Sequence, residues 1–267
     1  MGWFEIALCV GVFVVALLYS SVGHAGASGY IAVMALAEVA SPVIKPTALV
    51  LNIVVATIGT VQFWRAGHFR WPRFWPFALT SIPAAIYGGT LKLPTRVLNV
   101  LIGLVLLASA ARLLVRLQPA TETRAPSKPV AALTGGGLGF LAGLTGTGGG
   151  IFLTPLMIIL RWASTKQAAA VSVVYILVNS VGGLLGATYS WWRDTEMSLV
   201  EFVSQLPRSS LTIMEQNVPF LMPMIGSVIV GGSVGSYLGS RRFSVPVIHM
   251  LLATVLILAG MKLMFTK

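Results

Sequence analysis

Two glycine-rich runs offer the clearest chemical possibility in this sequence: GHAGASG from Gly23 to Gly29 and GTGGG from Gly146 to Gly150. Glycine has no Cβ, so successive backbone N–H groups can turn toward one point and form a concavity suited to an anion. A helix beginning after each run, at Tyr30 and at Ile151, would add unsatisfied N–H groups and the positive end of its dipole. Glycines also suit tight turns and close helix packing. Two runs at matching places favour the binding role. Among the nearby side chains, His24, Ser28, Thr145 and Thr147 are donors for oxyanions, with helix capping or a neighbouring carbonyl as their plainer use. Asn52 and Asn179 lie in otherwise apolar stretches and must find partners, either across helices or in a wet cavity. The candidate substrate site thus comprises Gly23, His24, Gly26, Ser28, Gly29, Asn52, Thr145, Gly146, Thr147, Gly148, Gly149, Gly150 and Asn179. Lys45 and Lys166 fall in predicted loops, where they read as interfacial anchors that could also draw anions to a mouth.

The elements that must position these residues are membrane helices. Of 267 residues, 56% are hydrophobic and 9% charged, against about 25% charged in an ordinary soluble domain. Apolar segments long enough to cross a hydrocarbon core about 30 Å thick recur along the whole chain. The predicted segments are Trp3 to Ser20, Tyr30 to Ala40, Pro46 to Trp64, Phe74 to Leu91 and Thr95 to Leu117, then Val130 to Leu144, Ile151 to Trp162, Ser164 to Tyr189, Pro219 to Leu238 and Pro246 to Phe265. Tyr30 to Ala40 and Ile151 to Trp162 are short for a full span and follow the glycine runs, so both read as half-helices. The fold class expected is an all-α integral membrane protein of two pseudo-repeats, each with four to five helical elements and a glycine-rich break. The first repeat is 1–117, the polar linker QPATETRAPSKP is 118–129, and the second repeat is 130–267 with a polar insert at 190–218. Apolar residues at loose helical spacing in that insert, from Met197 to Leu206, suit an interfacial helix.

An offset of 121 pairs Gly29 with Gly150 and Lys45 with Lys166, and an offset of 150 pairs Val97 with Val247. The difference of 29 equals the length of the insert. If every element crosses, eleven of the 18 cations lie on one side and seven on the other. The positive-inside bias then makes the first side cytoplasmic, puts both termini outside and inverts the repeats. If the short helices are re-entrant, the repeats become parallel with cytoplasmic termini. The seven tryptophans fall near segment ends, as in an aromatic belt.

The sequence GTGGGIFLTPLMIIL, its weaker first-half copy VGHAGASGYIAVMAL and the two-repeat layout resemble the sulfite exporter TauE/SafE family of membrane permeases, within the toluenesulfonate uptake permease superfamily. The first copy departs from GxGGG at His24, Ala25, Ala27 and Ser28 and lacks the early proline seen at Pro155. The resemblance implies transport of sulfite, sulfonates or related small organic acids. No GxxxxGK[ST] motif appears, which argues against a primary pump and for a secondary transporter or facilitator with no cofactor. An anion leaving a cell that is negative inside gains about 2.3 kcal/mol per charge per 100 mV, so export needs no further coupling. Glu38, in the first short segment, reads as a carboxylate paired with Lys45 or another cation, and otherwise as a proton carrier. A cation or metal permease would need converging acids, histidines or methionines, which the sequence scatters. An intramembrane enzyme is poorly served by three separated histidines, His24, His68 and His249, and by Cys9 as the single cysteine. The expected partners are a small anionic substrate and the lipid bilayer of the cytoplasmic (inner) membrane, in multi-pass form. Nucleic acid is excluded, because no basic stretch interleaves with aromatics on a polar surface. A homo-oligomer is compatible with the composition.

Overall fold

The computed structural model of the chain describes residues 3–21, 24–39, 41–114, 123–194, 221–241 and 246–265. Every regular element among them is helical: α1 Trp3–Ser21, α2 Ala27–Leu36, α3 Ser41–Arg65, α4 Trp71–Thr90, α5 Thr95–Leu114, α6 Lys128–Thr145, α7 Gly150–Ile159, α8 Thr165–Asp194, α9 Leu221–Arg241 and α10 Pro246–Phe265. Among the described residues four stretches are long and apolar enough to cross a membrane: Trp3–Ser21, Val43–Arg65, Thr165–Arg193 and Leu221–Leu238. Gly23, residues 118–122 of the linker and residues 195–218 of the insert, with the expected interfacial helix, lie outside the described residues. The predicted boundary of the insert is moved, because α8 continues to Asp194.

Glycine lets the helices touch through their backbones. Gly135, Gly139 and Gly143 on α6 sit against the backbones of Phe77, Ser81 and Ala85 on α4. The paired numbers rise together, so α4 and α6 run parallel. In the same way Gly231 and Gly235 on α9 meet Phe13 and Leu17 on α1, and these two are parallel. Gly103 on α5 meets Gly260 and Met264 on α10 while Leu107 meets Gly260, which makes that pair antiparallel. In lipid there is little hydrophobic drive between helices, so such close approach and its dispersion contacts must hold the bundle. Helix α3 packs on α8 and α9, α8 packs on α4, and together α3 and α8 supply much of the buried interior.

The two ends of the bundle differ in charge. At one end Arg73 donates to Gln167 and to Thr123, the Arg124 N–H donates to the Arg161 carbonyl, and Lys128 lies 5.6 Å from the Trp75 ring. Arg65, Arg70 and Lys166 share this end by their places at the end of α3 and the starts of α4 and α8. Exposed Trp64, Trp71 and Trp75 rim it. At the other end Lys262 on α10 donates to the Leu36 carbonyl and pairs with Glu38, both at 3.1 Å. Glu38 therefore pairs with Lys262 and not Lys45, in a left-handed residue just beyond α2.

The short helices α2 and α7 have ten residues each and are capped alike. The α2 N-cap is Gly26 and the α7 N-cap is Gly149, both left-handed, and Glu38 and Arg161 are left-handed just after their ends. Each of these pairs is 123 residues apart, two more than the spacing of 121 suggested by sequence identities. Both helices begin inside the bundle and end at opposite faces: α2 ends beside Glu38 and α7 beside Arg161 at the basic end. With the basic end in the cytoplasm, α10 runs outward. A reporter fused after Lys267 should therefore read as non-cytoplasmic, and a cytoplasmic reading would overturn this orientation.

Candidate functional site

The break before α7 descends through the centre of the molecule. Helix α6 ends at left-handed Gly146, whose N–H closes onto the Ala142 carbonyl at 2.9 Å. A Cβ at Gly146 would stand 3.0 Å from Cγ of Lys45, near the start of α3. Two residues on, a Cβ at Gly148 would stand 2.7 Å from Asn52 Nδ2, 2.8 Å from Ile176 Cγ2 and 3.1 Å from Ser180 Oγ. Lys45 and Asn52 are seven residues apart on α3, about 10 Å along its axis at 1.5 Å per residue. The break therefore passes from one end of α3 toward its middle, where α7 begins. Gly148 and Gly149, at φ 73 and 75, require the left-handed region that side chains disfavour. The N–H groups from Thr147 to Ile151 find no acceptor among the described residues. Gly148 itself lies against a surface supplied by α3 and α8.

That surface is polar and buried. Asn52 is fully buried and its Nδ2 donates to Ser180 Oγ at 3.3 Å, while its Oδ1 has no hydrogen-bond partner. Asn179 is also fully buried, and neither of its amide atoms makes a hydrogen bond of normal geometry. Ser172, Thr47 and Thr154 are buried with hydroxyls unpartnered among the described residues. Unpaired buried polar atoms are costly and uncommon, and Asn52, with its unpartnered Oδ1, stands directly against Gly148. Thr145 donates to the Leu141 carbonyl at 2.7 Å and shares a 3.0 Å hydrogen bond with Thr147. These two serve the end of α6 more than an open site.

The break before α2 is built differently. The Tyr30 hydroxyl donates to the Ala25 carbonyl at 2.7 Å, and the Tyr19 and Ser28 hydroxyls bond at 3.0 Å. Gly26 rests against the Tyr30 ring and Val15, and Gly29 against Val15 and Tyr19. His24 is buried and its N–H donates to the Tyr19 carbonyl at 3.0 Å. Two tyrosine rings thus fill the space around the first break, and Ser28 is engaged by Tyr19. The structure sets Gly148 against Asn52, Gly150 against Ile176 and Gly146 against Lys45, and gathers Gly26, Ser28 and Gly29 around tyrosines.

Two residues stand elsewhere than the sequence suggested. Lys45 is not a loop anchor: it lies inside α3, only 8% exposed, with Nζ 3.4 Å from the Gly89 carbonyl. Lys166 is exposed at the start of α8. Ser180 joins the cluster without having been singled out. Its signal is the spacing of Ser172, Ile176 and Ser180, a four-residue period that puts all three on one face of α8.

This arrangement defines a polytopic helical membrane protein whose polar groups converge inside the bundle. A family model for the sulfite exporter TauE/SafE matches residues 8–263, and the chain belongs to that family. It is 39% identical over 265 residues, 97% of this chain and 98% of the relative, to the "Probable membrane transporter protein y4hK" of Sinorhizobium fredii (strain NBRC 101917 / NGR234). No solved structure matches. Family and relative together make the chain a multi-pass membrane permease.

The packing around Gly148 sets a stability expectation. Gly148→Ala forces a left-handed alanine against Asn52 and Ile176 and should cost about 1–3 kcal/mol. Gly137→Ala, with nothing within 4 Å of its new Cβ, should gain about 0.5–1 kcal/mol from better helix propensity. Thermal unfolding of both purified variants in one detergent checks the ordering, and equal stability would contradict the geometry.

Proposed function

We propose that this permease is a secondary transporter or facilitator of small anions such as sulfite, sulfonates or related organic acids, working as an exporter. The observation that carries the reading is the meeting of the break at 146–149 with the buried amide of Asn52, whose Oδ1 has no partner, at Gly148. Backbone donors suit an anion at membrane depth because they carry no net charge of their own to desolvate. The start of α7 adds partial positive charge, an effect of about 0.3–2 kcal/mol. Gly146, Thr147, Gly148, Gly149, Gly150, Asn52 and Asn179 form the substrate site in this reading, with Ser180 added. His24, Ser28 and the glycines of the first break take part through the shape they give α2.

The same reading takes the halves as one inverted repeat. Helix α1 on α9 is answered by α6 on α4, α3 on α9 by α8 on α4, and α2 on α10 by α7 on α5. The opposite directions of α2 and α7 support inversion over the parallel, re-entrant alternative. An inward-negative potential suffices to drive such an anion out.

Flux of sulfite, methanesulfonate and small carboxylates through proteoliposomes tests the proposal. The wild type should show saturable flux of at least one. Asn52→Leu should cut it about tenfold or more at matched protein, by removing a hydrogen bond to a charged ligand, while Lys166→Gln leaves it unchanged. Absence of flux for every anion, or full activity in Asn52→Leu, would overturn it.

A further inference from the structure

Among the lysines and arginines whose burial is described, Lys45 is the one that is buried. Its Nζ is 3.4 Å from a single backbone carbonyl, that of Gly89 at the end of α4, and it forms no ion pair among the described residues. A lysine in apolar surroundings without a carboxylate is expensive, and proteins rarely retain one without use. Long lysines near helix ends usually extend to the interface. This one does not, because its stem is held against Gly146, where α6 ends and the break starts. It therefore lies along the same descent that leads past Gly148 to Asn52 and the start of α7.

The position has no counterpart in the other half. At the structural offset of 123, Lys45 corresponds to Ala168, which is buried, and the exposed Lys166 corresponds to Val43. The second break thus has a buried cation beside it. The first is packed with the rings of Tyr19 and Tyr30.

Resting on the anion-permease reading above, we propose that Lys45 is the counter-charge of a single, asymmetric anion site. It meets the substrate on the non-cytoplasmic side of Gly148 and Asn52, and selects small oxyanions over neutral solutes. An ammonium is a compact point charge with three donors, which suits a rounded group such as sulfite or a sulfonate head without demanding the planar fit of a guanidinium. The Gly89 carbonyl holds the ammonium while the site is empty, and the anion replaces or joins it. One cation against one bound anion leaves the pair close to neutral, which lowers the cost of carrying charge through the bundle.

The test compares wild type, Lys45→Met and Lys45→Arg, purified and reconstituted in vesicles of phosphatidylcholine and phosphatidylglycerol, with sulfite and methanesulfonate as probes. Lys45→Met should raise KM about 10- to 100-fold, the loss expected for a hydrogen bond to a charged group, and Lys45→Arg should recover part of it. Added probe should raise the unfolding temperature of the wild type but not of Lys45→Met. Without probe, Lys45→Met should unfold at the same or a higher temperature than wild type, because it removes an uncompensated buried charge. A Lys45→Met protein with unchanged KM and an intact shift by the probe would overturn the assignment and leave the permease reading standing. So would one whose only defect is a lower unfolding temperature. A wild type that carries and binds neither anion would overturn the permease reading and this assignment with it.

Discussion

Backbone-to-backbone contact at glycine is the interaction on which this molecule depends. Where Gly143 meets Ala85 or Gly235 meets Leu17, a Cβ would overlap a main-chain carbonyl, so the helices sit as close as their backbones allow. Inside lipid, that closeness supplies what the hydrophobic effect supplies in water. It also fixes register. Once α6 is locked residue by residue to α4, the end of α6 must fall at Gly146, and the break must begin beside Lys45. The site is a consequence of the seam.

From that register follows the difference between the two breaks. Both place a ten-residue helix behind a left-handed glycine. What surrounds them is set by single side chains: tyrosines at positions 19 and 30 close one, and Asn52, Ser180 and Lys45 leave the other with polar atoms to be satisfied. Similarly capped breaks thus carry different linings, one filled by tyrosine rings and the other by polar side chains.

Much of the fold was legible in the sequence because long apolar runs and their polar punctuation are strong signals, and both short helices are visible as interrupted runs after glycines. The start of α3 was not. Pro42 reads as a loop residue and Pro46 as the first residue of the helix, yet the helix runs from Ser41 through both, the first proline falling where the N–H is unpaired anyway and the second giving up one backbone bond. That single shift turns Lys45 from a surface anchor into a buried cation. Matching Gly29 to Gly150 compares letters, whereas the left-handed glycines that cap α2 and α7 are Gly26 and Gly149, which only backbone conformation reveals. Glu38 was assigned a cation correctly in kind, but sequence could not show that Lys262, far along the chain, is the one that arrives. Ser180 went unnoticed because one hydroxyl barely disturbs an apolar helix, and only its neighbour across the interface gives it a role.

Helices α2 and α7 begin inside the bundle and end at opposite faces, so both turn their amino ends inward and their carboxyl ends toward water. Their dipoles run in opposite directions, and each amino end adds a fixed positive potential inside the bundle. A well of that kind stays in the same place whichever face of the protein is open. Tilting one set of helices against the other would raise or lower the rims without moving the floor, so the affinity met by a ligand from either compartment would stay similar while the rates of entry and exit diverge.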